Sequence, residues 1–163
     1  MDKNTACCFT GHRIMPNGEF IGKTLYSEIE KLINNGVCDF IAGGAIGFDT
    51  LAAKTVLALK KTYPNIRLHL YLPCYDQMSR WNERNRNISR MIMSEADSKI
   101  YVTEGNYTPY CMELRNRKMV NDSKYCIAYC TRAASGTGKT VNFAYRNGNT
   151  VVNIADLLLD TEK

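Results

Sequence analysis

The stretch Phe40–Ala53, FIAGGAIGFDTLAA, decides the fold. An apolar run of strand length leads directly into Gly43 and Gly44, and apolar residues recur at helical spacing after Gly47. Glycine frees the backbone of a tight turn, so the stretch predicts a strand, a short loop and a helix in immediate succession. The unpaired amides and the dipole of such a helix start favour an anion. Asp49 falls in the first helical turn, where we expect it to complement the dipole or to bind ribose hydroxyls.

The same alternation of strand and helix extends in both directions along the chain. Six strand-like runs alternate with segments of helical periodicity, and the connections are short. We predict an α/β fold, a Rossmann-like three-layer sandwich with a mostly parallel sheet of about six strands and helices on both faces. One domain over residues 1–163 accounts for this pattern. We also expect a helix over about Ser79–Glu95 with Met91 inward, a helix opened by Pro109, and a tail over the last nine residues.

Composition restricts the classes of partner and site. The net charge of +5 permits an anionic partner without demanding one. The seven cysteines include no C-x-x-C pair, and there are only two histidines, so we expect reduced thiols, no metal site and no cofactor. No apolar run is long enough to span a membrane, and the N-terminal run is too short for a signal peptide. We therefore expect a cytoplasmic protein.

Glycine and polar residues follow the predicted strands, where ligands bind in sheets of this kind. After the first strand comes Thr10-Gly11-His12-Arg13. Glycine allows close backbone approach, and the Arg13 guanidinium offers a forked donor for phosphate or carboxylate. We expect His12 to be a hydrogen-bonding loop residue rather than an acid or base.

Basic residues also lie on the predicted helices. Arg115 and its neighbours up to Lys118 lie within a helix and could reach forward to an anion or face water. Four arginines from Arg80 to Arg90 surround Trp81, a pattern compatible with nucleic acid. We expect most of them to form a solvated helix face with a packed tryptophan.

The stretch Ala133–Thr140, AASGTGKT, ends like a phosphate-binding P-loop. Ala133 occupies the position of the first P-loop glycine, and the short remainder of the chain offers little room for the acidic strand residue that holds Mg²⁺. We therefore predict that this is not a P-loop ATPase. The small residues Ser135 to Gly138 before a helix still offer backbone donors to a phosphate.

Taken together, CCFTGHR, FIAGGAIGFDTLAA, LPC with a following Trp, RNRKMV and SGTGKTVNFAYRNG resemble the YpsA-like branch of the SLOG superfamily, which also contains DprA and the LOG enzymes. The resemblance covers about residues 7–154. It implies a Rossmann-like fold and a nucleotide-derived ligand, with Ser135 in place of the first glycine of the family's phosphate loop. The candidate ligand-binding residues are Thr10, Gly11, His12, Arg13, Gly43, Gly44, Ala45, Gly47, Asp49, Arg115, Asn116, Ser135, Gly136 and Thr137.

Three functions remain open at this point. The first is binding of an ADP-ribose-like or cyclic nucleotide signal, as a sensor or sequestering protein, because other SLOG domains are associated with such signals in phage defence. The second is cleavage of a nucleotide or nucleotide sugar at its N-glycosidic bond, with Asp49 as the acid and Arg13 and Arg115 holding phosphate, although the glutamate of the LOG motif is absent here. The third is DprA-like binding of single-stranded DNA, which the mild charge disfavours. The resemblance also makes a homodimer or higher homo-oligomer plausible.

Overall fold

The computed structural model describes residues 1–161, which form a six-stranded sheet flanked by helices. The strands are β1 (Ala6–Gly11), β2 (Asp39–Ala42), β3 (Arg67–Leu72), β4 (Ser98–Tyr101), β5 (Tyr125–Tyr129) and β6 (Thr150–Asn153). Every neighbouring pair is parallel, and the order across the sheet is β4-β3-β2-β1-β5-β6. The inner strands β1 and β2 are buried almost throughout, as expected for strands covered on both faces.

Helices cover both faces of this sheet. They are α1 (Gly18–Asn34), α2 (Phe48–Lys60), α3 (Glu83–Glu95), α4 (Cys111–Asn121), α5 (Gly136–Arg146) and α6 (Ile154–Thr161). One apolar cluster packs α1, α2, α3 and α6 against one face, around the stacked rings of Phe9 and Phe40. A second cluster packs α4 and α5 against the other face, where Met119 and Ala144 meet Cys8 and Ile41. The predicted three-layer Rossmann-like architecture is confirmed.

The chain reverses its direction of travel across the sheet at β1. It runs outward from β1 through β2 and β3 to β4, and α4 then returns so that β5 lies on the other side of β1. Because β1 and β5 are neighbours, the loops that follow them start side by side at the carboxyl edge of the sheet. Gly11 pairs with Tyr129, and the His12 N–H donates to the Tyr129 carbonyl oxygen at 3.3 Å. This reversal creates the crevice where doubly wound sheets bind ligands.

Three sequence-based boundaries were wrong. Helix α3 begins at Glu83 rather than Ser79, because the Asn82 side chain caps it by accepting from the Asn85 N–H at 2.8 Å. Helix α4 begins at Cys111, and Pro109 lies in the preceding turn. The residues predicted as a tail form most of α6, whose Ile154 and Ala155 are buried against the sheet. Residues 162 and 163 of that predicted tail lie outside the described residues.

One side chain was assigned to the wrong side of its helix. Met91 was expected to point inward, but 40% of it is exposed, while its neighbour Ile92 enters the core. Adjacent residues on a helix are separated by about 100°, and in α3 it is Ile92 that faces the sheet.

All seven cysteines are free thiols, and within residues 1–161 no three His, Cys, Asp or Glu side chains gather as a metal site. No helix in that range is both long and apolar enough to cross a membrane.

Candidate functional site

The loop after β1 is held against the loop after β5 by a histidine. The His12 Nε2 accepts from the Thr131 N–H at 2.9 Å, and its ring meets Tyr129 edge to face at 5.9 Å between centroids. Burial, and then the charge of Arg132, lower the pKa of His12. Because Nε2 accepts from an amide, the ring is neutral with its proton on Nδ1. His12 is thus a hydrogen-bonding loop residue, as the sequence suggested.

Two glycines let this loop and the start of α2 pack closely. A Cβ atom on Gly11 would overlap the ring of Phe48, and one on Gly47 would overlap the backbone of Arg13. Gly47 also has a φ of 90°, which L side chains rarely adopt. Both glycines therefore serve local packing. Thr10 lies beside them, buried at the end of β1.

Arg13 is exposed at this edge, and the described residues offer it no hydrogen bond or ion pair. Burial raises the pKa of Asp49, and the charge of Arg13 is one of the effects that oppose this rise. A guanidinium with open donors beside a cleft is suited to an anionic ligand.

Arg115 is buried and does not face open water, while its predicted role at an anion stays a prediction. It is 3% exposed, its Nη1 donates to the Gly43 carbonyl oxygen, and its Nε donates to the Asn116 Oδ1 at 2.8 Å. A Cβ atom on Gly43 would lie 2.7 Å from the Asp49 Oδ2 and as close to the Arg115 guanidinium. Only glycine leaves room for both groups at the end of β2.

Asp49 completes this buried cluster. It is 6% exposed, and its Oδ2 accepts from the Ala45 N–H at 3.3 Å. Burial raises the pKa of Asp49 although Arg115, the Ala45 amide and Arg13 all favour its charge. Burial likewise lowers the pKa of Arg115, with Asp49 opposing that change. The carboxylate is thus enclosed by protein, and the predicted contact of Asp49 with ribose hydroxyls stays a prediction.

The start of α5 presents free backbone donors. Ser135 caps the helix by accepting from the Gly138 N–H at 3.0 Å, and its own hydroxyl donates to the Arg132 carbonyl oxygen at 2.6 Å. Among the described residues the amides of Gly136 and Thr137 have no acceptor. Unpaired N–H groups at the positive end of a helix dipole are suited to an anion.

The resemblance of this segment to a P-loop does not extend to its geometry. The Thr140 hydroxyl, which would face Mg²⁺ in a P-loop, is buried and donates to the Gly136 carbonyl oxygen at 3.1 Å. Gly138 packs directly on the backbone of Ala133, where a Cβ atom would overlap the carbonyl group. Two residues of the P-loop-like stretch, Gly138 and Thr140, therefore serve the packing and hydrogen bonding of α5 itself.

Two clefts share Met112 in their linings. The α4–α5 cleft has a volume of about 440 Å³ and is lined by Asn116, Arg117, Gly136 and Lys139 among others. The Trp81 cleft has a volume of about 790 Å³, and its lining includes Arg13, Asp76, Gln77, Arg80, Trp81, Asn85 and Tyr107. A ligand that passes over Met112 would reach both.

Some of the predicted site residues line these clefts, and others lie beneath them or shape the turns around them. Arg13, Asn116 and Gly136 line the two clefts. Gly43, Ala45, Asp49 and Arg115 form the buried cluster beneath the edge, while Gly44 and Gly47 shape the turn above it. The arginines after Arg80 lie mostly on exposed helix, as expected, but Trp81 is only partly packed and lines a cleft.

Gln77 was not among the ligand-binding residues predicted from the sequence. Its Nε2 donates to the Gly44 carbonyl oxygen at 2.9 Å, while its Oε1 is buried without a partner among the described residues. A buried acceptor left unpaired costs about 1–3 kcal/mol. Its position soon after the end of β3 was the available signal, because that is where ligands bind in such sheets.

A further cleft of about 890 Å³ lies between α1 and α6. Its lining includes Phe20, Tyr129, Leu158 and Leu159 and none of the predicted site residues. We refer to it as the α1–α6 cleft.

Comparison with known proteins gives a family and a fold. A UPF0398 protein of Bacillus cereus strain B4264 is 27% identical over 127 residues, which cover 77% of this chain and 69% of the relative. A UPF0398 protein of Bacillus thuringiensis strain Al Hakam is 26% identical over 139 residues, covering 85% and 76%.

Two solved DprA structures share the fold. The one from Streptococcus pneumoniae has a TM-score of 0.67 at 17% identity and covers 91% of this chain, which spans half of the DprA chain. The one from Helicobacter pylori, described as showing a single-stranded DNA binding mode, has a TM-score of 0.67 at 16% identity and covers 98% of this chain and 74% of its own. The predicted resemblance is confirmed by a family model, YpsA, which matches residues 8–150. The chain thus belongs to the family that this model describes, the YspA SLOG family.

Proposed function

We propose that this protein binds a phosphorylated, nucleotide-derived ligand at the carboxyl edge of its sheet, as a sensor or sequestering protein. The observation that supports this is the meeting of two clefts at Met112, one with open helix amides and one with an aromatic ring and an unpaired guanidinium. A nucleotide carries a phosphate at one end and a base at the other. The open helix amides suit the phosphate, and the aromatic ring suits the base. ADP-ribose-like molecules and cyclic nucleotides are the proposed classes.

The α4–α5 cleft is suited to the phosphate. The open amides of Gly136 and Thr137 can donate to phosphate oxygens, and Lys139 adds a positive charge at the same helix turn. The Asn116 Oδ1 is occupied by Arg115, so its amide N–H groups are the part left to donate. Ser135 supports this arrangement as the helix cap rather than as a ligand contact.

The Trp81 cleft is suited to the base. A base can stack on the indole ring of Trp81, and Arg13 and Arg80 in the same lining can neutralise a second phosphate. An ADP-ribose-like ligand carries two phosphates and would use both phosphate positions, one in the α4–α5 cleft and one beside Arg13 and Arg80.

The enzyme alternative would need a carboxylate at the ligand, because N-glycosidic cleavage develops positive charge on the ribose. Asp49 is the candidate that the sequence offered, and it is enclosed with Arg115 and Gly43 beneath the clefts. We therefore assign no catalytic step to it.

Single-stranded DNA is the second candidate ligand. The H. pylori DprA, which shares the fold, is described as binding single-stranded DNA. Exposed tyrosines lie at the end of β4 and in the segments after β3 and β4. The rings of Tyr75 and Tyr101 are 4.6 Å apart between centroids, and Tyr107 and Tyr110 follow Tyr101 in sequence. Exposed aromatic rings beside arginines suit the stacking of unpaired bases.

The test uses the chain's one tryptophan, because Trp81 lies in the proposed base site. Its fluorescence is titrated with ADP-ribose, AMP, cyclic AMP and an oligo-dT strand, for the wild type and for Arg13→Ala, Lys139→Ala and Lys124→Ala. We expect a mononucleotide or ADP-ribose to bind, with about tenfold or greater weakening in each of the first two variants. Lys124→Ala is the control, because Lys124 precedes β5 at the opposite edge of the sheet.

Two results would contradict the proposal. Equal affinities in all four proteins would remove the ligand from these clefts. Binding of oligo-dT alone, with an affinity that falls steeply as salt is raised, would favour single-stranded DNA instead.

A further inference from the structure

Three polar side chains on neighbouring strands form a hydrogen-bonded row outside the clefts described above. The His69 Nε2 lies 2.7 Å from the Asp39 Oδ1, and the His69 Nδ1 lies 2.6 Å from the Ser98 hydroxyl oxygen. Asp39 begins β2, His69 lies in β3 and Ser98 begins β4. The linings of the α4–α5 cleft and the Trp81 cleft include none of the three, so the row is separate from the proposed nucleotide site.

The register of the sheet brings these side chains to one face. Ile41 is paired with His69, and His69 is paired with Ser98. Side chains two residues apart on a strand share a face, so Asp39 lies on the same face as Ile41. The row runs from Asp39, which is 1% exposed, out to Ser98, which is exposed on the outermost strand of the sheet. One end of the row is therefore held in the fold and the other meets solvent.

The carboxylate determines where the imidazole carries its proton. Asp39 also accepts from the Arg67 Nε at 2.8 Å and from the Arg67 Nη2 at 2.9 Å. Burial raises the pKa of Asp39, but the hydrogen bonds from Arg67 and His69 outweigh burial and lower it. An ionised carboxylate can only accept, so the neutral ring of His69 has its proton on Nε2. The Nδ1 then accepts from the Ser98 hydroxyl.

This order of groups is the one that activates a serine as a nucleophile. A carboxylate orients an imidazole, and the imidazole takes the proton of the hydroxyl as the oxygen attacks. In the Ser-His-Asp hydrolases the other ring nitrogen faces the serine. The chemistry requires an N–H toward the carboxylate and a lone pair toward the hydroxyl, and His69 presents both.

The edge of the sheet offers a donor next to Ser98. Among the described strands β4 pairs only with β3, and successive N–H groups of a strand point to opposite sides. Of the Ser98 and Lys99 amides, one therefore faces β3 and the other faces the open side. A backbone N–H beside a nucleophile can stabilise the negative oxygen that forms during attack on a carbonyl group.

We propose that Asp39, His69 and Ser98 form a second reactive site, in which Ser98 takes the acyl group from a carboxylic ester. The Ser98 Oγ attacks the ester carbonyl carbon, and its proton passes to the His69 Nδ1. The bond from that carbon to the alcohol oxygen breaks, and the alcohol leaves with the proton from His69. Water then attacks the acyl group by the same route and releases a carboxylic acid. Asp39 is a positioning residue, and this site does not depend on nucleotide binding.

The first measurement maps the label that a fluorophosphonate leaves on the wild type. An activated serine forms a P–O bond with this reagent, and fluoride leaves. Ser94 is the internal control, because it is also exposed but its hydroxyl donates to the Met91 carbonyl oxygen at 2.7 Å. Trypsin cleavage after Arg90 and Lys99 leaves both serines in one peptide, whose fragments show which one is labelled. We expect Ser98 to react about 100-fold faster or more, as a positioned base provides.

The second measurement uses variants. The rate of Ser98 labelling should fall about 100-fold or more in His69→Gln, which lacks the base. Asp39→Asn can turn an N–H toward the ring, which moves the ring proton to Nδ1 and should slow labelling as well. The ¹⁵N signals of the His69 ring report that change of tautomer directly. Release of p-nitrophenolate from p-nitrophenyl acetate should be slower in Ser98→Ala than in the wild type and unchanged in Ser94→Ala.

Three results would overturn the proposal. The first is labelling of Ser94 as fast as that of Ser98 in the wild type, which requires no variant. The second is an unchanged rate of Ser98 labelling in a folded His69→Gln protein. The third is release of p-nitrophenolate by Ser98→Ala at the wild-type rate. Thermal unfolding midpoints show which variants are folded, and the comparison within the wild type decides if Asp39→Asn is not.

Discussion

At the scale of single residues, the edge of the sheet depends on a few buried polar groups. His12 joins the loops after β1 and β5 through the Thr131 amide. Arg115 joins α4 to the end of β2 through the Gly43 carbonyl oxygen, with Asp49 beside it. Each of these groups bonds to backbone, so its loss changes the shape of a loop and not only a contact between side chains.

Protonation of His12 should weaken the fold at acid pH. Its pKa in the folded state is lowered by burial and by Arg132, so the unfolded chain binds a proton more readily. The stability that His12 contributes is complete above its ordinary pKa of about 6.5 and is lost as the pH falls through the lower folded value. Urea unfolding at about pH 7.5 and about pH 5 should show a loss on the order of 1 kcal/mol more in the wild type than in His12→Gln, whose carbonyl oxygen accepts at both values. An equal loss in both proteins would be evidence against the neutral histidine.

Removal of Arg115 should be severe. Arg115→Met leaves the Gly43 carbonyl oxygen without its donor and removes the nearby positive charge that favours an ionised Asp49, which together should cost about 2–5 kcal/mol. The matched control is Arg117→Met on the same helix, where Arg117 is exposed and its ion pair with Glu113 spans 3.1 Å. Exposed pairs are worth about 0–1 kcal/mol. Urea unfolding measures both, and similar free energies for the two variants would contradict the buried cluster.

At the scale of elements, the segment from Ala133 to Thr140 contains two glycines, Gly136 and Gly138, at the start of α5. Gly138 has no room for a side chain, because it packs on the backbone of Ala133. Gly136, two residues earlier, has open space around the position of a Cβ atom. The two glycines look alike in the sequence and have different functions in the fold.

Alanine should therefore lower the free energy of unfolding at Gly138 and leave it almost unchanged at Gly136. Gly138→Ala forces the Ala133 carbonyl group away and should cost about 2 kcal/mol or more, within the range known for overpacked sites. Gly136→Ala should change the free energy of unfolding by less than about 0.5 kcal/mol. Chemical unfolding of both variants is the measurement. A Gly138→Ala variant as stable as the wild type would show that the loop can move away from α5.

At the scale of the whole molecule, the architecture could be predicted because it follows from local patterns. Strand-length apolar runs, glycine turns and helical periodicity each involve adjacent residues, and their alternation implies a parallel sheet. The buried cluster could not be predicted in this way, since Arg115 and Gly43 are 72 residues apart in sequence. The Gln77 acceptor was missed for the same reason, because its partner Gly44 lies 33 residues away. Helix α6 was missed because it is short and begins at Ile154, directly after the last residue of β6, with no loop between them.

The most direct test of nucleotide binding at this edge is a ¹H–¹⁵N NMR titration with the nucleotide that binds most tightly. The amides of Gly136 and Thr137 and the indole N–H of Trp81 report on the two ends of the paired clefts. We predict that all three signals shift together with one dissociation constant. Shifts confined to residues of the α1–α6 cleft, such as Phe20 and Leu159, would contradict the account, as would unchanged signals from Gly136 and Thr137 at saturation.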